Sequence, residues 1–328
     1  MLTAADFITL PYTPDLTQAG IAYACRSLAY TYDRMGGSPT VRLRRIVVGV
    51  AVELVFRRLL IEQEVPHDTL GATPFTDPDH YDLALGGRRC DLKSFLIFDR
   101  NQIHKVRHDP ATLLQAAALV PLDQIRSDKF ADEDLYVFVF ITGLLATRQQ
   151  PLERALTAGQ PCYLIHPLPM EWSRPTEWIS LNPLTLKSES PEPLKVELGG
   201  QNVERGFQSE QLTLLPLCRM SVNQDFFALA SVHPSLLPRG RLGLHSPRFA
   251  EAYIVYPTDW ENIWVYGMEV ILVGYLPRGE FRRRAHFLPA GSRVWQYART
   301  RTNNLTLPLG ELRPLPDLFA RVKRWAKK

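Results

Sequence analysis

Cysteine is scarce in this sequence, and the four cysteines that it has are far apart. They are Cys25, Cys90, Cys162 and Cys218, and no two of them form a C-x-x-C pair. Zinc sites built from cysteine normally use such closely spaced pairs, so a structural zinc site is not expected. A disulfide framework is disfavoured for the same reason, and a reducing cytoplasmic location is expected.

Long apolar runs are also missing. The 328 residues contain no uninterrupted apolar stretch of about 18 residues, which a membrane-spanning helix would need, so no membrane partner is expected. The opening MLTAADFITLPYTPD lacks the basic and then apolar segments of a secretory signal peptide. The eight histidines form no H-E-x-x-H set, which removes the commonest sequence signal of a zinc hydrolase.

The net charge of +4 is small, but the charges are unevenly distributed. Residues 261–328 carry 13 Lys and Arg against 5 Asp and Glu, whereas the preceding residues are acidic overall. A basic region favours a partner with a phosphate backbone, DNA above all, with RNA left open. A solvated basic surface without such a partner explains the same composition.

Helical and strand-like patterns alternate over the first 150 residues. Residues 13–33 and 40–65 have the apolar spacing of helices, and the first of them opens with Thr-Pro. A hairpin follows, then a helix from Asp109, and then a β-branched and aromatic strand over residues 134–145. This order predicts a mixed α/β sheet domain over residues 1–150.

The composition changes after about residue 150. Prolines become frequent and apolar segments become short, as in LNPLTLKSESPEPLKVELGG. These patterns predict a β-rich second domain over residues 151–328, with SESPEP as the best candidate for a linker. The final LPDLFARVKRWAKK has the pattern of a short basic amphipathic helix.

The stretch YDLALGGRRCDLKSF, residues 81–95, has the pattern of a tight hairpin. A two-residue Gly-Gly turn pairs Leu85 with Arg88, and continuing this register places Asp82 opposite Asp91. Directly opposed residues have Cβ atoms about 4.5–5.5 Å apart. Because side chains alternate along a strand, Lys93 is expected on the same face as both carboxylates.

Two carboxylates at this separation repel each other unless something offsets their charge. A divalent cation bound between Asp82 and Asp91 would do so, and oxygen ligands suit Mg²⁺, with Mn²⁺ as a substitute. The alternative is a surface hairpin in which Asp91 and Lys93 form an ion pair and Asp82 points to water. Such pairs are common and contribute little to stability.

Glu53 is the only charged residue in IVVGVAVELVF, residues 46–56. A carboxylate in so apolar a helix is costly unless it is paired or bound to a metal. One interpretation is therefore that Glu53 supplies a third carboxylate to the metal site. The other is an ion pair with Arg57, one helical turn later.

A glutamate on a helix, followed by an aspartate and then by Asp-x-Lys on the next strand, resembles the PD-(D/E)XK nuclease superfamily. The matching residues are Glu53, Asp82, Asp91 and Lys93, and the resemblance covers roughly residues 40–145. It implies a restriction-endonuclease-like α/β fold: a mixed sheet flanked by helices. Some exonuclease-like members carry a glutamine and, four residues on, a tyrosine on the next helix, where this chain has Gln115 and Leu119.

The resemblance also implies a chemistry. Asp82, Asp91 and Glu53 would bind Mg²⁺, and Lys93 would orient or help deprotonate the water that attacks a DNA phosphodiester. The activity expected is that of an endonuclease, with restriction or anti-phage defence as the role that this superfamily commonly serves. Cleavage of both strands would favour a homodimer, and a partner subunit is the other arrangement considered.

Arginines in two regions are candidates for contact with the nucleic-acid backbone. They lie at the start of the Glu53 helix and in the aromatic-rich stretches PRGEFRRRAHF and SRVWQYARTRTNN. The candidates are Arg44, Arg45, Arg282, Arg283, Arg284, Arg299 and Arg301. A sheet edge protected by charge, or a subunit interface, would have a similar composition.

Two other functions fit the same sequence. One is a non-catalytic nuclease-like module that acts as a scaffold in a nucleic-acid-associated complex. The other is an unrelated α/β protein with a decorated hairpin. The complete set of acids and lysine favours an enzyme over the non-catalytic module.

Overall fold

A computed structural model of the protein describes residues 1–30, 38–68, 83–125 and 131–325. Helix and strand contribute about equally, at about 33% and 34%, so the protein is of the mixed α/β class that the sequence predicts. No helix within these described ranges is both long enough and apolar enough to cross a membrane.

The helices are α1 (Pro14–Ser27), α2 (Pro39–Glu62), α3 (Arg100–His108), α4 (Leu122–Ile125), α5 (Gln149–Thr157), α6 (Met170–Ser173), α7 (Arg278–Arg284) and α8 (Leu315–Trp325). The strands are β1 (Ile8–Pro11), β2 (Leu83–Leu85), β3 (Arg88–Ile97), β4 (Ala117–Pro121), β5 (Leu135–Leu145), β6 (Leu164–Pro167), β7 (Thr185–Ser188), β8 (Leu194–Gln201), β9 (Phe207–Leu214), β10 (Arg219–Ser221), β11 (Ala228–Pro234), β12 (Leu242–His245), β13 (Tyr253–Val255), β14 (Glu261–Asn262), β15 (Val265–Pro277), β16 (His286–Leu288) and β17 (Asn304–Pro308).

The central sheet has the strand order β1-β15-β5-β3-β2. Strands β3 and β5 are parallel, and the other neighbours in this sheet are antiparallel. A parallel pair needs a long crossover, which α3, β4 and α4 provide here. The mixed sheet flanked by helices is therefore confirmed, while its restriction-endonuclease-like detail stays a prediction.

Strand β5 is buried on both of its faces, so the sheet separates two cores. Leu135, Val137 and Val139 belong to one core together with α1, α2 and α8. Tyr136 and Phe138 belong to the other core, together with α3, α7, β4 and β17. This arrangement explains why residues 134–145 lack the alternation of a half-exposed strand.

Helix α2 has a well-defined start that the sequence supplies. The Ser38 side chain accepts a hydrogen bond from the Val41 backbone N–H, and Pro39 occupies the first helical turn. Gly20 of α1 lies against the Val47 backbone, where an added Cβ would be 2.8 Å from the Val47 Cα. The two helices therefore pack at very close range, and both predicted helices are confirmed.

The prediction of one continuous helix from Asp109 is wrong. Residues Pro110–Gln115 form a 3₁₀ helix capped by the Asp109 side chain, and β4 and the short α4 follow. The helix in this part of the chain is α3, capped by Asp99. Tertiary pairing decides the outcome, because β4 aligns along its whole length with β17, almost 190 residues later.

The second half of the chain is β-rich, as predicted. Sheets of order β14-β6-β11-β8-β9 and β10-β7-β12-β13 surround a third core that contains Trp172, Phe226 and Leu242. SESPEP is not a linker, because it forms the connection between β7 and β8, where Ser190 is buried and its N–H bonds the Ser188 side chain.

The central sheet does not end at residue 150. Strand β15 pairs with β5 over its whole length and also with β1, so a strand from the C-terminal half forms the middle of the N-terminal sheet. The division at residue 150 stays a prediction, and these hydrogen bonds cross it.

The hairpin glycines provide a test of how α8 supports the central sheet. Both Gly86 and Gly87 have positive φ, but a Cβ at Gly86 would lie 2.7 Å from Trp325 Cε3, whereas a Cβ at Gly87 meets nothing within 4 Å. Gly87→Ala should lower the free energy of unfolding by about 1–2 kcal/mol through backbone strain alone. Gly86→Ala should lower it by about 1–3 kcal/mol more, because the tryptophan must also move. Urea denaturation measures both, and equal losses would contradict the contact.

Candidate functional site

The hairpin forms in the predicted register. Leu85 pairs with Arg88, Ala84 with Arg89, and Leu83 with Cys90. The two turn glycines have φ values of +56° and +76°, as a type I′ turn requires. Asp82 lies outside the described residues, so its position opposite Asp91 stays a prediction.

Asp91 and Lys93 lie on the same face of β3, as predicted. The Lys93 ammonium donates hydrogen bonds to Asp91 Oδ2 and, at 2.6 Å, to Gln124 Oε1. The side chains of Lys93 and Asp91 are only 10% and 18% exposed, so this is not the surface ion pair considered as the alternative. Their face is the one on which Phe95 and Tyr136 pack.

Gln124 is the site residue that the sequence did not reveal. It lies in α4, which follows directly from β4, and the sequence pattern had merged both into one helix. Gln115, the glutamine considered from the sequence, is exposed at the end of the 3₁₀ helix. No local signal distinguishes the two, because the choice depends on the pairing of β4 with a distant strand.

Arg278 holds α4, and with it Gln124, in place beside Lys93. Its side chain is buried, and Nη2 donates to the Ile125 carbonyl at 2.6 Å, next to Gln124 in the chain. Its backbone N–H bonds the Asp134 carbonyl, also at 2.6 Å. Arg278 therefore ties β15 to α4 and β5, and it positions Gln124 indirectly.

Asp134 and Tyr136 complete the surroundings of Asp91. The Asp134 carboxylate accepts hydrogen bonds from the backbone N–H groups of Arg89, at 3.0 Å, and Ala131, at 2.7 Å. Burial, and then the negative charge of Asp91, raise the pKa of the Tyr136 phenol above its usual range. The Lys93 ammonium lies 5.4 Å from the centre of the Tyr136 ring, where a protonated phenol adds a favourable cation–π contact.

Glu53 lies on the other layer of the protein. Its carboxylate forms an ion pair with Arg57, and each side chain is 25% exposed. The buried face of α2 packs with Leu83, Cys90 and Leu92, whereas Asp91 and Lys93 alternate to the opposite face of the sheet. The convergence of Glu53 on the site therefore stays a prediction.

Arg44 is not available to a nucleic-acid partner, which corrects its assignment. It is 8% exposed, its Nε donates to the Asn262 carbonyl at 3.1 Å, and its Nη2 pairs with Glu261 at 3.3 Å. Burial lowers the pKa of Arg44, an effect that Glu261 partly offsets. The residue fixes α2 to β14 and has a structural role.

The arginines of α7 are exposed but mostly paired. Arg282 lies 3.1 Å from Asp132, and Arg284 lies 2.8 Å from both Glu280 and Glu311. Arg283 is exposed and forms no ion pair with any described residue. The acidic partners offset the charge of two of the three residues that the sequence singled out.

The positive charges of Arg45 and Arg301 act on each other. Burial, followed by repulsion from Arg301, lowers the pKa of Arg45, and neither arginine forms an ion pair within the described part of the chain. Burial raises the pKa of Tyr297 to about 12, and the positive charges of both arginines oppose this increase. The Tyr297 ring centre lies 6.3 Å from that of Phe95, two residues beyond Lys93 on the same face. Arg299 and Arg301 are exposed.

The donor set is chemically suited to Mg²⁺ only if Asp82 takes part. Among the described residues, no three His, Cys, Asp or Glu side chains come together as metal ligands. Asp91 provides one hard oxygen donor, and the observed register, extended by one pair, would bring Asp82 opposite to it. The carboxylate pair rather than the described cluster alone would therefore hold the ion.

No protein-family model, curated protein or solved structure matches this chain, so the interpretation of the site depends on its own geometry.

Proposed function

We propose that this protein is a Mg²⁺-dependent endonuclease that hydrolyses DNA phosphodiester bonds through a site of the PD-(D/E)XK type. The observation that supports this most is the buried Lys93 ammonium held between Asp91 and Gln124, beside a hairpin whose register would add Asp82. A lysine this deeply buried is costly to place and is a frequent feature of functional sites.

Asp91 and Asp82 would hold the metal, which when bound would neutralise phosphate charge and acidify a water molecule. Glu53 would bind a second ion or hydrogen-bond a metal-bound water molecule. Lys93 has three donors, of which Asp91 and Gln124 take two. No described residue takes the third, which would serve a phosphate oxygen or the attacking water and would fix its position.

A non-catalytic nuclease-like module is the second candidate. It is favoured by one observation, the pairing of Glu53 with Arg57 on the layer away from Asp91. In that case the protein would serve as a scaffold in a nucleic-acid-associated complex. A role in restriction or anti-phage defence rests on the resemblance alone, and an additional subunit or a homodimer is compatible with either function.

Cleavage assays with site variants test the activity. Wild-type protein with Mg²⁺ or Mn²⁺ should cut plasmid DNA, and EDTA should stop the reaction. Lys93→Ala and Asp91→Asn should each reduce the rate by about 10²-fold or more, because the first removes a positive charge at the reacting phosphate and the second removes an anionic ligand of the metal. Lys195→Ala, at an exposed lysine of β8, is the matched control and should cut normally.

Thermal melting of each variant separates loss of the site from loss of the fold. A folded wild-type protein that binds nucleic acid but cuts neither plasmid, single-stranded DNA nor RNA with either metal would refute the enzymatic function and favour the scaffold.

Gln124 should act as a positioning residue for Lys93. Gln124→Ala removes the acceptor that holds the ammonium, so kcat should fall about tenfold, the loss expected for one hydrogen bond to a charged group, while KM stays unchanged. Gln124→Glu keeps an acceptor and should recover part of the rate. Gln115→Ala changes an exposed glutamine of the neighbouring 3₁₀ helix and should have no effect. A Gln124→Ala protein with wild-type kcat would exclude this role.

The proposed backbone contacts can be ranked by their salt dependence. Arg45→Gln and Arg301→Gln should each weaken DNA binding and reduce the slope of log K against log salt by about 1, since each removes one phosphate contact. Arg282→Gln should change little, because Asp132 already offsets its charge. Fluorescence anisotropy at several salt concentrations gives the slopes. The assignment fails if Arg282→Gln has the larger effect.

A further inference from the structure

A cleft of about 300 Å³ lies where the hairpin, the start of β5 and the end of β15 meet α7 and α8. Lys93 and Gln124 do not line it. Its volume is at the lower end of the range of about 300–1,000 Å³ that small-molecule sites occupy. The cleft is therefore separate from the site proposed at Asp91 and Lys93.

Three arginines from different elements line the cleft. They are Arg88 of β3, Arg283 of α7 and Arg321 of α8. Two of the three acids in the lining are already offset: Asp132 by Arg282 at 3.1 Å, and Glu280 by Arg284 and Arg313 at 2.8 and 2.5 Å. The third acid, Glu133, is exposed. The charge left over in the cleft is therefore positive.

Tyr275 has a buried hydroxyl that no described residue pairs with. The residue lines the cleft and is 1% exposed. Leaving such a donor unpaired costs about 1–3 kcal/mol. Phenylalanine would fill the same space without this cost. An acceptor in the cleft would pair with the hydroxyl once the side chains that cover it shift slightly.

Trp325 gives the cleft an aromatic wall held in a fixed place. The Arg88 guanidinium lies 3.6 Å from the centre of its ring, and the Gly86 turn packs against its edge. Stacking in this way keeps a guanidinium oriented while its N–H groups remain able to bind an anion. The aromatic surface beside it suits an organic group attached to that anion.

We infer that this cleft binds a phosphate monoester, with Arg283 and Arg321 on the dianion, Tyr275 donating to it, and the organic part beside Trp325. Guanidinium groups match the paired oxygens of phosphate, and several of them suit a dianion better than a singly charged carboxylate. The phosphate could come from a free nucleotide or from the 5′ end of a nucleic-acid strand. This inference does not depend on the nuclease activity.

Titration calorimetry with the full chain tests the site and distinguishes the two sources. The probes are adenosine 5′-monophosphate, adenosine, inorganic phosphate, and one oligonucleotide with either a 5′-phosphate or a 5′-hydroxyl, all without divalent metal. The nucleotide should bind and adenosine should not. A free nucleotide is the source if it binds more tightly than the phosphorylated oligonucleotide, and a strand end is the source if the order is reversed. Absence of binding by both phosphate monoesters at millimolar concentration overturns the inference.

Variants then tie binding to the named residues. Arg321→Gln and Arg283→Gln should each weaken nucleotide binding about tenfold or more, the loss expected for a charge-assisted hydrogen bond. Arg324→Gln is the matched control, since Arg324 is exposed on α8 and does not line the cleft. An Arg321→Gln protein that binds like Arg324→Gln would place the ligand elsewhere.

Tyr275→Phe distinguishes a hydroxyl that binds the ligand from a hydroxyl that only stabilises the fold. It should weaken binding of the nucleotide while leaving the melting temperature of the unliganded protein unchanged or higher, because the unpaired hydroxyl is gone. Unchanged affinity in this variant, or weaker binding accompanied by a lower melting temperature, would show that the hydroxyl does not serve the ligand.

Discussion

A lysine ammonium group that has lost nearly all of its contact with water determines how this part of the protein is built. At 10% exposure, the Lys93 ammonium would be costly to bury without a nearby anion and further acceptors. Asp91 provides the anion and Gln124 a second acceptor, while Tyr136 presents its ring. The site depends on these three contacts being made at once, and each comes from a different element of the fold.

The supporting contacts extend outward from this group. Parallel pairing places Asp91 beside Tyr136 and aligns β3 with β5, which is buried on both faces. Asp134 joins the start of β5 to the backbone of Arg89, and Arg278 joins β15 to α4, which carries Gln124. Strand β15 comes from the far half of the sequence, so the site is complete only when both halves of the chain have folded together. Such preorganisation from rigid elements is what the phosphate chemistry proposed for this site would require.

The parts that the sequence predicts correctly are those that local chemistry determines. The Gly86-Gly87 turn sets its own register, and alternation then places Asp91 and Lys93 on one face. Both N-terminal helices follow from apolar spacing and proline starts. Gln124 could not be predicted, because α4 exists only where β4 stops pairing with β17. The sequence also could not show on which face of the central sheet the Glu53 helix packs, because an apolar helix with one carboxylate can cover either face.

The charges of the basic C-terminal region also could not be located from the sequence. Its excess of arginines predicted one surface for nucleic acid, yet the fold divides them according to their surroundings. Arg278 is buried and Arg284 is paired with acids, so neither adds much to an outward field. Two groups remain among the described residues. Arg45 and Arg301 repel each other, whereas Arg283 of α7 and Arg321 of α8 line the same cleft. Net charge therefore only suggests a phosphate partner, whereas the placement of the arginines that have no ion pair among the described residues is the basis for proposing two separate places for it.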